Sequence, residues 1–224
     1  MINFKIINKI IGALLFIEAT LMSLCLVMAI YFGEDDIFPF TISVVVTIFG
    51  GIVFRYFGYG AENILTRRDS FLVVTSVWII FSAFGTIPFL LGGYLHSFTD
   101  AFFENMSGFT TTGATIIDDV EALPHGILFW RSLTHWIGGL GIVFFTVALL
   151  PSLVGGSTKV FAAEATGPIK TRLHPKLSMG ARWIWMVYFV ITFGCMAGYM
   201  IFGMNWFEGI NYAMSTAATG GFSI

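Results

Sequence analysis

Two stretches decide how this chain is read: Glu104–Thr115, ENMSGFTTTGAT, and Met214–Ser223, MSTAATGGFS. Laid on each other with an offset of 108 residues and no gap, they set Met106 on Met214, Ser107 on Ser215, Thr111 on Thr219, Gly113 on Gly221 and Thr115 on Ser223. The same offset sets Arg68 on Lys176, Ser70 on Ser178, Phe81 on Phe189, Asp100 on Glu208 and Ile116 on Ile224. Self-similarity at a fixed period marks a repeated structural unit. Each copy reads as a basic residue, a long apolar helix, an acidic residue opening a short helix, and a turn rich in Thr and Gly. In the first copy a second long apolar helix follows.

Outward from these stretches the chain is apolar. Hydrophobic residues make up 57% and charged residues 11%, and the mean hydropathy is +0.86, too little polar surface to cover a soluble domain of this length. Five stretches are long enough to cross a hydrocarbon layer, which takes about 20 helical residues: Ile10–Phe32, Phe38–Phe57, Ser70–Leu95, Gly126–Leu150 and Ala181–Met204. Ser97–Phe109 and Asn205–Ala217 are apolar but only about a dozen residues each, which suits a re-entrant helix. The expected fold is all-α and polytopic, with repeated helix–re-entrant loop–helix units. Its parts are an N-terminal helix pair over 1–66, a first repeat over 67–154, a connector over 155–178 marked by Gly167–Pro168 and His174–Pro175, and a second repeat over 179–224.

Charge sets the expected orientation. Lys5, Lys9, Arg55, Arg67, Arg68, Lys159, Lys170, Arg172, Lys176 and Arg182 fall on one side of the five-span arrangement, which should be cytoplasmic together with the N-terminus. Glu34, Asp35, Asp36, Asp100, Glu104, Asp118, Asp119, Glu121 and Glu208 fall on the other, with Arg131 the one basic residue there. A net charge of −2 with scattered basic residues argues against a nucleic-acid partner; membrane lipid is the expected surrounding. The first apolar run lacks a small-residue cleavage site and reads as a retained span.

The Thr- and Gly-rich turns carry the chemistry. An alkali cation such as potassium must exchange its water shell for a ring of oxygens, and backbone carbonyls supply these without a charge that would trap it. Non-helical backbone at membrane depth is tolerated where it lines a water-filled cavity, so a turn between a half-helix and a span implies a pore. Gly113 and Gly221 supply unusual dihedrals, and a short helix ending deep in the membrane turns its partially negative end toward a cation. Asp100 and Glu208 are placed to cap the first amides of those helices. No cluster of His, Cys or paired carboxylates has catalytic or metal-ligand spacing within a span, so an enzyme is not the reading.

Other polar residues in the spans have structural readings. Gly138, Gly139 and Gly141 suit close helix packing. Arg131 pairs with Asp118, Asp119 or Glu121, or else snorkels to the interface. Glu18 makes a structural hydrogen bond or lies shallow, and His135 is a satisfied core histidine. Trp183, Trp185 and Tyr188 read as interfacial anchors, and Cys25 and Cys195 as small buried hydrophobes.

At these residues the sequence resembles the Trk/Ktr/HKT superfamily of potassium transporters, TrkH type. The carrying segments are Glu104–Thr115, Trp130–Pro151 (WRSLTHWIGGLGIVFFTVALLP), Ala163–Leu177 (AEATGPIKTRLHPKL) and Met214–Ser223. The resemblance implies a pseudo-fourfold pore of four helix–loop–helix repeats in one polypeptide, in a bacterial inner membrane. Its potassium filter would draw on Thr111, Thr112, Gly113, Thr219, Gly220 and Gly221, with the carbonyls of the two residues before each glycine facing the ion. It also implies a homodimer, a TrkA-type cytoplasmic nucleotide-binding regulatory partner, and no organic cofactor on this chain. The kept Gly113 favours potassium over sodium. Because the sequence stops at Ile224, just past the second turn, the chain is expected to carry half the filter and not to conduct alone.

Overall fold

A computed structural model describes residues 2–61, 66–141 and 177–224. Among these residues there are eight helices and no strand. The first, α1 (Phe4–Phe32), is capped by the Asn3 side chain, which accepts from Ile6 N, and ends at Gly33, whose left-handed backbone lets its N–H reach Ala29 O at 2.9 Å. At 29 residues it is about 43 Å long at the usual helical rise. It lies against α2 (Ile37–Phe57), and its buried face, including Ile7, Leu14 and Met22, packs on later helices.

Thr66 opens α3 (Arg67–Gly85) with a capping box: its Oγ1 accepts from Asp69 N while the Asp69 carboxylate accepts from Thr66 N. The same carboxylate accepts from Asn3 N at 3.0 Å, tying the start of α1 to the start of α3. The expected third span, Ser70–Leu95, is split, because Pro88 lacks an amide hydrogen and cannot continue the ladder. The chain turns at Thr86 into a short α4 (Ile87–Leu91). Four stretches are long and apolar enough to cross a membrane: Phe4–Phe32, Ile37–Phe57, Arg68–Leu91 and Trp183–Ile201.

The two short helices fall where the sequence places them, as α5 (Phe98–Phe109) and α8 (Trp206–Ala217). Of the two expected carboxylate caps, only the one at α8 forms as a box, with Asn205 accepting from Glu208 N and Glu208 accepting from Asn205 N. At α5 the cap is Ser97, which accepts from Thr99 N. Between them run α6 (His125–Gly139) and α7 (Leu177–Ile201). The C-terminal part of the expected fourth span and nearly all of the connector, residues 142–176, lie outside the described residues.

α6 is the hub, touching α1, α5 and α8. Trp130 is fully buried and donates to Gly85 O at 3.2 Å. Pro124 cannot cap the helix, so the α1–α2 turn does: Glu34 accepts from His125 N at 2.6 Å and from its Nδ1 at 2.7 Å. Buried Asp36 faces the amides of Gly126 and Ile127. Phe32 stacks on His125 at 3.8 Å and on Trp206 at 6.0 Å, and meets Phe207 edge-on, so the C-terminal end of α1 touches the N-terminal ends of α6 and α8 together.

Candidate functional site

Each short helix ends in the same way. After α5, Thr111 N donates to Gly108 O at 3.0 Å and Thr112 N to Ser107 O at 2.9 Å. After α8, Thr219 N donates to Thr216 O at 3.0 Å and Gly220 N to Ser215 O at 3.0 Å. This is the Schellman closure, in which a residue of positive φ turns the chain back over the helix end. The residue in that position is normally glycine, yet here it is Thr111 at φ 54° and Thr219 at φ 55°. They alone among the described non-glycine residues have positive φ, at roughly 1–2 kcal/mol each for the Cβ clash. Two residues later Gly113 and Gly221 take φ of 74° and 89°. The 108-residue repeat seen in the sequence thus holds bond for bond in the backbone.

The closures consume the amides of Thr111, Thr112, Thr219 and Gly220 in bonds to the helix ends. Thr110 Oγ1 donates to Met106 O at 2.8 Å and lies 2.8 Å from Thr112 Oγ1, which stiffens the first turn. The two turns meet: a Cβ on Gly113 would collide with the Gly220 carbonyl. All six expected site residues are therefore brought to one place. Gly220 is buried, Thr111 and Gly113 are half-buried, and Thr112, Thr219 and Gly221 are exposed.

α6 backs both turns. Gly138 lies where any side chain would strike the Phe109 backbone, and Gly139 where it would strike Ala218 and the Tyr188 hydroxyl. The packing role expected of those two glycines is what the structure shows, while Gly141 adopts positive φ just past the helix. His135 is fully buried, with Nδ1 3.2 Å from Ser215 Oγ and its ring stacked on Phe222 at 4.0 Å. Its Nε2 has no hydrogen-bond partner among the described residues, so the histidine is only half satisfied.

Several expectations are corrected. Arg131 neither snorkels nor pairs with Asp118, Asp119 or Glu121: it is 2% exposed and its Nε donates to Glu104 Oε1 at 2.9 Å. Glu18 is fully buried and the expected structural hydrogen bond is not seen, since neither carboxyl oxygen has a hydrogen-bond partner among the described residues. Tyr188 is not an interfacial anchor but a buried brace, donating to Trp136 O at 2.9 Å. Cys195 is only half-buried. The sequence reading missed Glu104 as a site residue. The signal available was a carboxylate inside an apolar segment, six residues before a Thr-Thr-Thr-Gly turn.

Comparison with known proteins bears on the family and the helical framework. Residues 35–224 match the TrkH family model, described as cation transport protein. The Trk system potassium uptake protein TrkH of Halomonas elongata is 35% identical over 99% of this chain and 46% of its own length. The Trk system potassium uptake protein TrkG of Escherichia coli is 36% identical over 98% of this chain, again 46% of its own. The crystal structure of the potassium transporter TrkH from Vibrio parahaemolyticus superposes with a TM-score of 0.81 at 33% identity, covering 99% of this chain and 44% of that one. The chain thus spans about half the length of the curated relatives it matches. With the family model matched over most of its length and the helical framework shared with a solved relative, this chain is an all-helical membrane protein that belongs to the TrkH family of cation transport proteins.

Proposed function

We propose that this chain forms part of a potassium uptake pore, in which the turns after α5 and α8 are two filter segments of a pseudo-fourfold ring. The observation that carries this reading is the doubled turn, with the same two closing bonds and the same pair of positive-φ residues in each copy. Potassium is the transported ion, moving down its electrochemical gradient. Thr111, Thr112 and Gly113 in the first turn, and Thr219, Gly220 and Gly221 in the second, offer it carbonyl oxygens in place of water. The amides of Thr111, Thr112, Thr219 and Gly220 are engaged behind the turns, which leaves the carbonyls there as the polar groups for an ion. The C-termini of α5 and α8 end at the turns and add partial negative charge there.

The remaining repeats, a second copy of the protein, and a nucleotide-binding regulatory subunit on the cytoplasmic side complete the system in this reading. The chain lies in the bacterial inner membrane with its N-terminus inside, and the units 67–154 and 179–224 are the first two quarters of the ring, joined by the connector 155–178. No enzymatic role is assigned to it. Potassium uptake into a strain lacking its own uptake systems tests the proposal. Gly113→Arg in the full-length protein should abolish uptake while membrane insertion, read by immunoblot of the membrane fraction, stays unchanged; uptake at the unaltered rate would refute the filter assignment.

A further inference from the structure

Arginine offers five donors in a rigid plane and can join groups that a point charge cannot. Arg131, near the middle of α6, uses that plane on both filter turns. Its Nε donates to Glu104 Oε1 at 2.9 Å. Glu104 Oε2 in turn accepts from Ile116 N at 2.9 Å, and the Thr115 hydroxyl bonds to the same carboxylate at 3.0 Å. Arg131 Nη2 reaches Thr115 Oγ1 at 3.3 Å. These contacts hold the segment leaving the first turn. Toward the second turn, Nη1 donates to Ser223 O at 3.0 Å, and the guanidinium lies 4.3 Å from the centre of the Phe222 ring. Thr115 and Ser223 are equivalent positions of the 108-residue repeat, so one side chain grips the same point of two neighbouring quarters.

The repeat handles the next position with opposite polarity. Glu104 corresponds to Tyr212, and Ile116 to Ile224. Where the Glu104 carboxylate accepts from Ile116 N, the Tyr212 hydroxyl donates to Ile224 O at 3.1 Å. The second repeat has no carboxylate at this position, and the guanidinium that holds its Ser223 carbonyl comes from the helix that follows the first turn. An ion pair buried this deeply is retained at the cost of desolvating both groups, and its worth lies in the geometry it imposes.

We propose that Arg131 is a positioning residue for ion selectivity, whose fork holds the exits of the first and second filter turns at a fixed separation and keeps the oxygen cage from closing on a smaller ion. The proposal rests on the filter reading above. It predicts that a lysine, with charge but no fork, does not substitute.

The test is the ratio of potassium to sodium permeability of the full-length protein in liposomes, taken from reversal potentials. Arg131→Lys should lower that ratio about tenfold or more. Thr115→Val, which removes a neutral hydroxyl and leaves the ion pair in place, should shift it the same way by a smaller factor. An unaltered ratio in Arg131→Lys overturns the proposal; should that variant fail to reach the membrane, an unaltered ratio in Thr115→Val does so. Gly113→Arg run alongside separates the two claims. If it blocks permeation while the other variants keep the ratio, only the positioning role falls. If it leaves permeation intact, the filter reading falls and the proposal with it.

Discussion

Thr111 and Thr219 hold conformations that a β-branched residue rarely adopts, and both sit at the hinge between a half-helix and a glycine two residues on. Strain that recurs at equivalent positions is maintained by its surroundings, here the closing bonds to the helix ends. The glycines differ more than their φ values suggest. A Cβ on Gly113 meets the Gly220 carbonyl, whereas one on Gly221 meets nothing among the described residues within 4 Å. Gly221→Ala should therefore cost about 1–2 kcal/mol of backbone strain alone. Gly113→Ala should add overlap with rigid backbone, roughly 1–3 kcal/mol more. Thermal unfolding in detergent would show Gly113→Ala with the larger drop in Tm; equal drops would mean that the two turns do not abut as described. The glycines were legible in the sequence, since their role follows from lacking a side chain. The threonines were not, because nothing in threonine's chemistry favours positive φ; only the closed helix end imposes it.

At the scale of elements, α6 explains why both turns keep their shape. Its residues Arg131, His135, Gly138 and Gly139 meet one turn or the other along a single helix face. Gly138→Ala should destabilise by about 1–3 kcal/mol, since the added methyl would strike the Phe109 backbone, which cannot yield. Gly209→Ala in α8 should be close to neutral: its Cβ comes closest to the flexible Met200 side chain at 3.2 Å and meets Met196 O and Cγ at ordinary contact distances of 3.6 and 3.8 Å, and alanine gains helix propensity of up to about 1 kcal/mol. Comparison of the two melting temperatures decides this, and a Gly209→Ala penalty matching that of Gly138→Ala would contradict the packing. Four of the five expected spans and both short helices were legible in the sequence because length and apolar character alone mark them; the expected fourth span lies partly outside the described residues. The pairing of Arg131 with Glu104 was not, since 27 residues and a change of helix separate them. Loop carboxylates nearer in sequence offered a simpler partner. The break at Thr86 was signalled by Pro88 but masked by continuous hydropathy across it.

For the whole molecule, the turn between α1 and α2 matters more than its position at the edge of the sequence suggests. Burial first, and the neighbouring Glu34 carboxylate second, push the Asp36 carboxyl above its ordinary value, while the amides of Gly126 and Ile127 pull it back. A folded-state value above the unfolded one means that the folded protein holds the proton more tightly. Stability is then greatest below the ordinary aspartate value of 3.8 and is lost as pH rises from there through the folded value. Asp36→Asn should abolish this loss and leave the protein more stable than the unaltered chain near neutrality. Unfolding midpoints taken at a series of pH values from about 4 upward would show it, and parallel curves for the two proteins would contradict it.

α1 meets α3 at one end, through Asn3 and Asp69, and meets α6 and α8 at the other, through Phe32. Between these contacts runs one unbroken helix of 29 residues. The consequence is leverage. A rod that bends little is pinned near its foot to the first long helix of the first repeat, and at its tip to the N-terminal ends of α6 and α8, which belong to different repeats. Tilting it would shift those ends together rather than one by one, so the N-terminal helix acts as a tie bar that gives the two sequence repeats a common frame.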